Sequence, residues 1–176
     1  MALLTSAGWA ALLEGFEREA LHLEMRDVYT MAAEQESYGD FLAGRPRGRE
    51  QEAERRKEWL SLVRQAVTAG KAMRRARIVS EPVSDYVRWE WHGSELSIEA
   101  GEEIRWLTRQ RVGAIGLPAN DFWLFDGRTL VVNIFDGDGR LIDNEVSTES
   151  DLVDLCSTAF EKVWAKAITH RAYCPL

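Results

Sequence analysis

Most of the signatures that would name a chemistry are missing from these 176 residues, and each absence excludes something. No apolar run approaches the roughly 20 residues that a membrane-spanning helix needs. The opening stretch MALLTSAGWAALLEGFERE has no basic leader, and Glu14 interrupts it, so no signal peptide and a cytoplasmic location are expected. Only Cys156 and Cys174 carry thiols, and neither has metal-type spacing, so inert reduced cysteines are expected. His22, His92 and His170 stand in separate segments without the spacing of zinc ligands. There is no Walker loop, no dinucleotide glycine triplet and no Gly-x-Ser-x-Gly elbow. No metal and no cofactor are therefore expected.

What is present is the composition of a single soluble domain, 45% hydrophobic and 29% charged. The net charge of −7 is unevenly placed. Residues 45–77 hold eleven basic and four acidic groups, a local charge of +7. Such a segment suits an anion, a nucleic acid or an acidic partner. It equally suits a solvated helix face, since Glu50, Glu52, Glu54 and Glu58 interleave with Arg55, Arg56 and Lys57.

Periodicity predicts a helix over about 7–33, with Trp9, Leu12, Leu13, Phe16, Ala20 and Leu23 on one stripe. GRPRGRE (44–50) reads as a loop, and a second helix follows over about 51–69, stopped at Gly70. Ala76, Ile78 and Val79 predict a short strand ended by Pro82. Ser84 then caps a helix that leaves at Gly101. Ile104, Trp106 and Leu107 predict a second strand. DFWLFDGRTLVVNIF reads as two strands joined at Asp126-Gly127, the dipeptide of a tight primed turn. DGDG (136–139) makes the next turn and LIDNEV a further strand. Thr148, with Asp151 as its capping-box partner, opens a last helix with a stripe of Leu152, Cys156, Ala159, Phe160, Val163 and Ala167. The expected order is α-α-β-α-β-β-β-β-α, one α/β domain with a mixed sheet and packed helices. Residues 1–50 form an N-terminal helical extension and loop in this reading, and 51–176 the core.

The acids Asp126, Asp136 and Asp138 raise the question of a calcium loop. Counted from Asp136, position 5 is Arg140 and position 12 is Ser147, where an EF-hand needs an oxygen ligand and a bidentate Glu. These aspartates are expected to be turn residues instead.

Two resemblances follow from longer stretches. WLSLVRQAVTAGKAMRRARIVS, DYVRWEWHGSELSIEAGEEIRWL and NDFWLFDGRTLVV together resemble half of a phospholipase D-like domain across about 55–168. Active members of that superfamily carry His-x-Lys and, after four further residues, Asp. Setting the motif's Asp on Asp126 places Ala119 at the His position and Asp121 at the Lys position. The Gly-Ser-x-Asn that follows would fall at Asn133 to Asp136 and is absent. Without an imidazole nucleophile, and with a carboxylate where a cation should meet phosphate, phosphodiesterase chemistry is not expected.

EALHLEMRDVY (19–29), RRARIVSEPVSDYVRWE (74–90), AGEEIRWLTR (100–109), DFWLFDG (121–127) and AFEKVWAKAITHRAY (159–173) resemble an uncharacterised actinobacterial family. The resemblance implies encoding beside helix-turn-helix regulators of the xenobiotic-response-element type and their small acidic partner proteins. It also implies kinship with the sensor domain of those regulators.

The leading expectation is a non-catalytic regulatory or sensor domain for a small ligand or a protein partner. Its candidate ligand-binding residues are Arg77, Tyr86, Glu102, Arg105, Trp106, Asp121 and Trp123, because alternating Arg and aromatic groups clamp anionic or planar molecules. The competing reading makes Trp106, Trp123 and Tyr86 core, with Arg77 and Arg105 paired to Glu102 and Asp121. A second cluster, Glu24, Arg26, Asp27 and Tyr29, is either a site rim or a local ion-pair network. Two alternatives remain: a hydrolase or transferase using Glu102 and Asp121, and nucleic-acid binding through 45–77.

Overall fold

A computed structural model describes residues 3–175, and they form one α/β domain around a seven-stranded mixed sheet. The elements are α1 (Ser6–Gly15), β1 (Glu19–Glu24), α2 (Gln35–Leu42), α3 (Arg49–Arg55), α4 (Lys57–Thr68), β2 (Ala72–Val79), α5 (Asp85–Ala100), β3 (Glu103–Thr108), β4 (Asp121–Phe125), β5 (Thr129–Phe135), β6 (Leu141–Ser147), α6 (Ser150–Lys166) and β7 (Ile168–Thr169). The strand order is β6-β5-β4-β1-β2-β3-β7. β1, β2 and β3 run parallel, and every other pairing is antiparallel.

The largest correction concerns the N-terminus. The helix expected over 7–33 ends at Gly15, and EALHLE (19–24) is a strand in the middle of the sheet. Residues 1–50 are therefore no appendage, because β1 pairs with both β2 and β4. Leu21 and Leu23 point to one face while Ala20, His22 and Glu24 point to the other, and both faces are covered. The helical spacing of Phe16, Ala20 and Leu23 is accidental, and pairing across the sheet decides the conformation.

Other differences are smaller. The helix expected over 51–69 begins at Arg49 and is interrupted at Arg56, giving α3 and α4. β2 starts at Ala72, four residues before Ala76. α6 is capped at Glu149 with no side-chain hydrogen bond, so Thr148 and Asp151 form no capping box. Leu152 is exposed, and Val153 and Trp164 belong to the buried stripe in its place.

Where the signals are local, sequence and structure agree. Ser84 accepts from the Val87 amide and starts α5. Gly101 ends α5 at φ 111°, and a Cβ there would sit 2.9 Å from the Val67 methyls. Asp126 and Gly127, at φ 55° and 62°, form the primed turn between β4 and β5. Asp126 does more than turn the chain. Its carboxylate accepts from the amides of Glu17, Arg18 and Glu19 at 2.8, 2.7 and 3.0 Å and so sets the entry to β1. Asp136 accepts from the amides of Asp138 and Arg140 and closes the next turn, the role expected of it.

The two faces of the sheet differ in kind. α6 covers one with an apolar core that includes Leu21, Leu23, Ile78, Phe122, Leu124 and Phe160. On the other face, α1, α4 and α5 pack over Ala20, Met73, Trp123 and Phe125. Beyond that apolar patch, the same face turns polar.

Candidate functional site

The strand register arranges the polar part of that face in two rows. Asp121 pairs with Asn133, Glu24 with Arg77 and Arg77 with Trp106, so these residues cross the sheet from β5 to β3. In the adjacent row, His22 stands between Trp123 of β4 and Arg75 of β2. Side chains two apart on a strand share a face, so the rows sit one above the other.

Over them lies a cleft of about 860 Å³, between the sheet and the segment that carries α2, α3, α4 and α5. Of the first predicted cluster, Arg77, Tyr86, Asp121 and Trp123 line it; of the second, Glu24 and Tyr29 do. Members of both clusters, separated by some 50 residues of sequence, thus line one cleft. Glu102, Arg105, Trp106, Arg26 and Asp27 lie outside it. Glu102 supports it from behind by holding Arg75 at 2.7 Å. Trp106 is core beneath Arg77, whose guanidinium carbon is 5.5 Å from the ring centroid. Arg105 is on the α6 face, over the Trp164 ring at 4.3 Å. Arg26 leans on Phe135 at 5.2 Å, and Asp27 ties the end of β1 to Ser80 through bonds of 2.7 and 2.6 Å.

The ion pairs differ from the pairing expected. Arg77 meets Glu24 and Glu90, and Arg75 meets Glu24 and Glu102, so Arg77 is not joined to Glu102, and among the described residues Arg105 has no acid. Arg77 Nε lies 2.8 Å from Glu24 Oε2 without the alignment of a hydrogen bond, so that contact is chiefly coulombic. Burial opposes the charge on both arginines, and the surrounding glutamates outweigh it, so both stay protonated. Glu102 and Asp121 do not meet: β1 and β2 separate the strands they adjoin.

Apart from the exposed Glu58 and Glu95, two carboxyls lining the cleft, Asp121 and Glu34, have no cationic partner among the described residues. Asp121 accepts from the Tyr29 hydroxyl and, at 2.9 Å, from the Met25 amide. Glu34 accepts from the Tyr86 hydroxyl at 2.6 Å. Burial pushes Asp121 up to about 6, against the pull of the Tyr29 bond. Burial and then the charge of Glu90 push Glu34 up to about 7. His22, stacked on Trp123 with centroids 4.0 Å apart, is held neutral first by burial and then by Arg75 and Arg77. Its Nδ1 has no hydrogen-bond partner and lies 3.9 Å from Glu24. The arrangement can bind and can hold protons near neutral pH.

Sequence reasoning missed His22, Glu34, Arg75, Glu90 and Trp59. The period-two alternation of Ala20-His22-Glu24 against Leu21-Leu23 was the available signal for the first of them.

A family model described as "Domain of unknown function (DUF6879)" matches residues 7–175. The chain belongs to that family. No curated protein matches it. Among solved structures, it is similar to a phospholipase D family member, Nuc from Salmonella typhimurium, with a TM-score of 0.53 at 8% identity. The match covers 90% of this chain and 86% of that one, and at this identity it shows the fold alone. The phospholipase D-like architecture expected from the sequence is therefore present, and it includes the N-terminal strand. No helix among the described residues is long and apolar enough to cross a membrane.

Proposed function

We propose that this DUF6879 domain is a non-catalytic ligand-binding domain whose site is the cleft over β4, β1 and β2. The observation that carries this is the cleft itself: about 860 Å³, floored by ion pairs and walled by Trp59, Trp123, Tyr29 and Tyr86. Clefts of this size that bring aromatic walls together with convergent polar groups are ordinary small-molecule sites. Ala119 and Asp121 at the motif's His and Lys positions support binding over phosphodiester cleavage. The regulatory setting rests on the resemblance alone. In that reading the domain is actinobacterial and cytoplasmic, and it works beside a helix-turn-helix regulator that co-purification from the native cell would recover.

Nucleic-acid binding through 45–77 gains no support. Arg47, Arg49, Arg55, Lys57, Arg74, Arg75 and Arg77 are in ion pairs. Arg56 and Lys71 donate to backbone carbonyls.

A thermal-shift screen of a metabolite library tests the reading. One chemical class raises the melting temperature of the wild type by roughly 5–10 °C at about 100 times its Kd. It shifts Met31→Trp, which adds an indole at the cleft wall, by less. A library without a stabilising class, or equal shifts in both proteins, contradicts it.

A further inference from the structure

We propose that the ligand of the cleft is an organic cation, a protonated amine carrying a flat apolar group, with Asp121 and Glu34 as its counter-charges. The proposal rests on the reading of the cleft as a ligand site and adds the chemical class.

The arginines are the first reason. An anion would need free guanidinium donors, and the cleft has few. Arg75 donates to Glu102 and Glu24, and Arg77 lies between Glu24 and Glu90. Arg56 donates to the Gly93 carbonyl and to Ser97. Toward the rim, Arg47 is held by Glu36 and Asp40, Arg49 by Glu99 and Arg55 by Glu52. An entering anion competes with a carboxylate for every one of these guanidinium groups except that of Arg56. That exchange returns little.

The acids are the second reason. Asp121 and Glu34 face the cleft with tyrosine hydroxyls where Glu24, Glu52 and Glu90 have arginines. Tyr29 and Tyr86 pack together at 5.8 Å between centroids, so both carboxyls border one tyrosine pair. Both are pushed toward the protonated form by burial, and a cation beside them reverses that push.

A third observation is independent of the acids. His22 is 7% exposed and lines the cleft, and its Nδ1 has no hydrogen-bond partner among the described residues. A neutral imidazole with an unpaired nitrogen is a partner for an N–H donor. The surrounding rings already hold the protein's own cations: Arg75 lies over Trp59 at 5.6 Å and over Trp123 at 5.9 Å, and Arg55 over Trp89 at 5.8 Å. Faces that attract guanidinium attract ammonium by the same quadrupole.

Isothermal titration of the full chain at pH 7.5 with tryptamine, tryptophol and indole-3-acetate separates charge from shape. The expected order is tryptamine tightest, by about tenfold or more over tryptophol, and indole-3-acetate weakest. Glu34→Gln and Asp121→Asn each reduce the tryptamine advantage by at least about threefold. Should Asp121→Asn fail to fold, Glu34→Gln on the α2 side carries the comparison alone. A preference for indole-3-acetate, an advantage unchanged in the variants, or no binding of tryptamine overturns the cation class. Tryptophol or indole-3-acetate binding tighter than that of tryptamine, and weakened in Met31→Trp, overturns the class and keeps the cleft. Binding unweakened in Met31→Trp overturns both.

Discussion

The two faces of this sheet are built from the same strands and do opposite things with them. Toward α6, β1, β2 and β4 present Leu21, Leu23, Ala76, Ile78, Phe122 and Leu124, none more than 1% exposed. Toward α5, they present His22, Glu24, Arg75, Arg77, Asp121 and Trp123. Burying the first set is favourable by about 25 cal/mol for each Å² of apolar surface. Burying the second costs desolvation that ion pairing roughly offsets. Stability explains the apolar face and leaves the charged one unexplained. A site explains it.

The largest expected effect comes from breaking the charged network on one side only. Arg77→Met leaves Glu24 and Glu90 without their shared cation, and a loss of about 3–5 kcal/mol in urea unfolding is expected. Replacing Glu90 by Leu as well restores part of it, because fewer unpaired charges remain. If the single variant is as stable as the wild type, the network is solvated and the contrast between the faces weakens.

On the apolar face, Leu124→Ala opens a cavity and costs about 3 kcal/mol. Ligand affinity in the folded fraction is unchanged, since Leu124 is on the far side of the sheet. An equal loss of affinity would mean that the faces are not independent.

Next is a pH dependence confined to the polar face. Asp121 and Glu34 titrate at about 6 and about 7 in the fold, above ordinary carboxyls. A raised acid pKa means that the native state binds the proton more tightly, so stability falls as pH rises from about 4 to 7. Asp121 faces Tyr29, Glu24 and Arg26, and Glu34 faces Tyr86, Glu90, Arg77 and Glu24, so these neighbours set the slope. Unfolding free energies of Asp121→Asn and Glu34→Gln across that range are expected to be flatter than the wild type by about 1–3 kcal/mol. A wild type that gains stability over the same range would contradict this.

The smallest effect is at Asp126. Partial burial opposes its charge, and the three amides outweigh that and hold its carboxyl below the usual range. Its contribution is complete above the unfolded value near 4 and is lost as pH falls through the depressed folded value. Asp126→Asn tolerates the left-handed backbone and is expected to cost about 1 kcal/mol at pH 7.

How much of this was legible follows the same contrast between local and distant causes. The cap at Ser84, the stop at Gly101 and the turn at Asp126-Gly127 are decided by residues a few positions away, and all three were readable. β1 was not. Its partners lie some 50 residues on in β2 and 100 in β4, and EALHLE carries a helix-compatible spacing until those strands cover it. Misreading β1 hid His22 and kept Glu24 and Tyr29 apart from Asp121. Arg77, Tyr86, Asp121 and Trp123, candidates drawn from the segments that carry the family resemblance, do line the cleft. Arg105, drawn from the same segments, does not, because residue parity placed it on the α6 face. Glu34 and Glu90 carried no sequence signal, as isolated acids on helices usually face solvent.

Ligand affinity measured against stability in variants of the two faces tests the central claim most directly. With one stabilising compound from the library, Leu124→Ala and Glu34→Gln are each titrated under native conditions. The account expects Leu124→Ala to lose stability and keep its affinity, and Glu34→Gln to keep or gain stability and lose affinity. Affinity that simply follows stability, whichever face is altered, would contradict it.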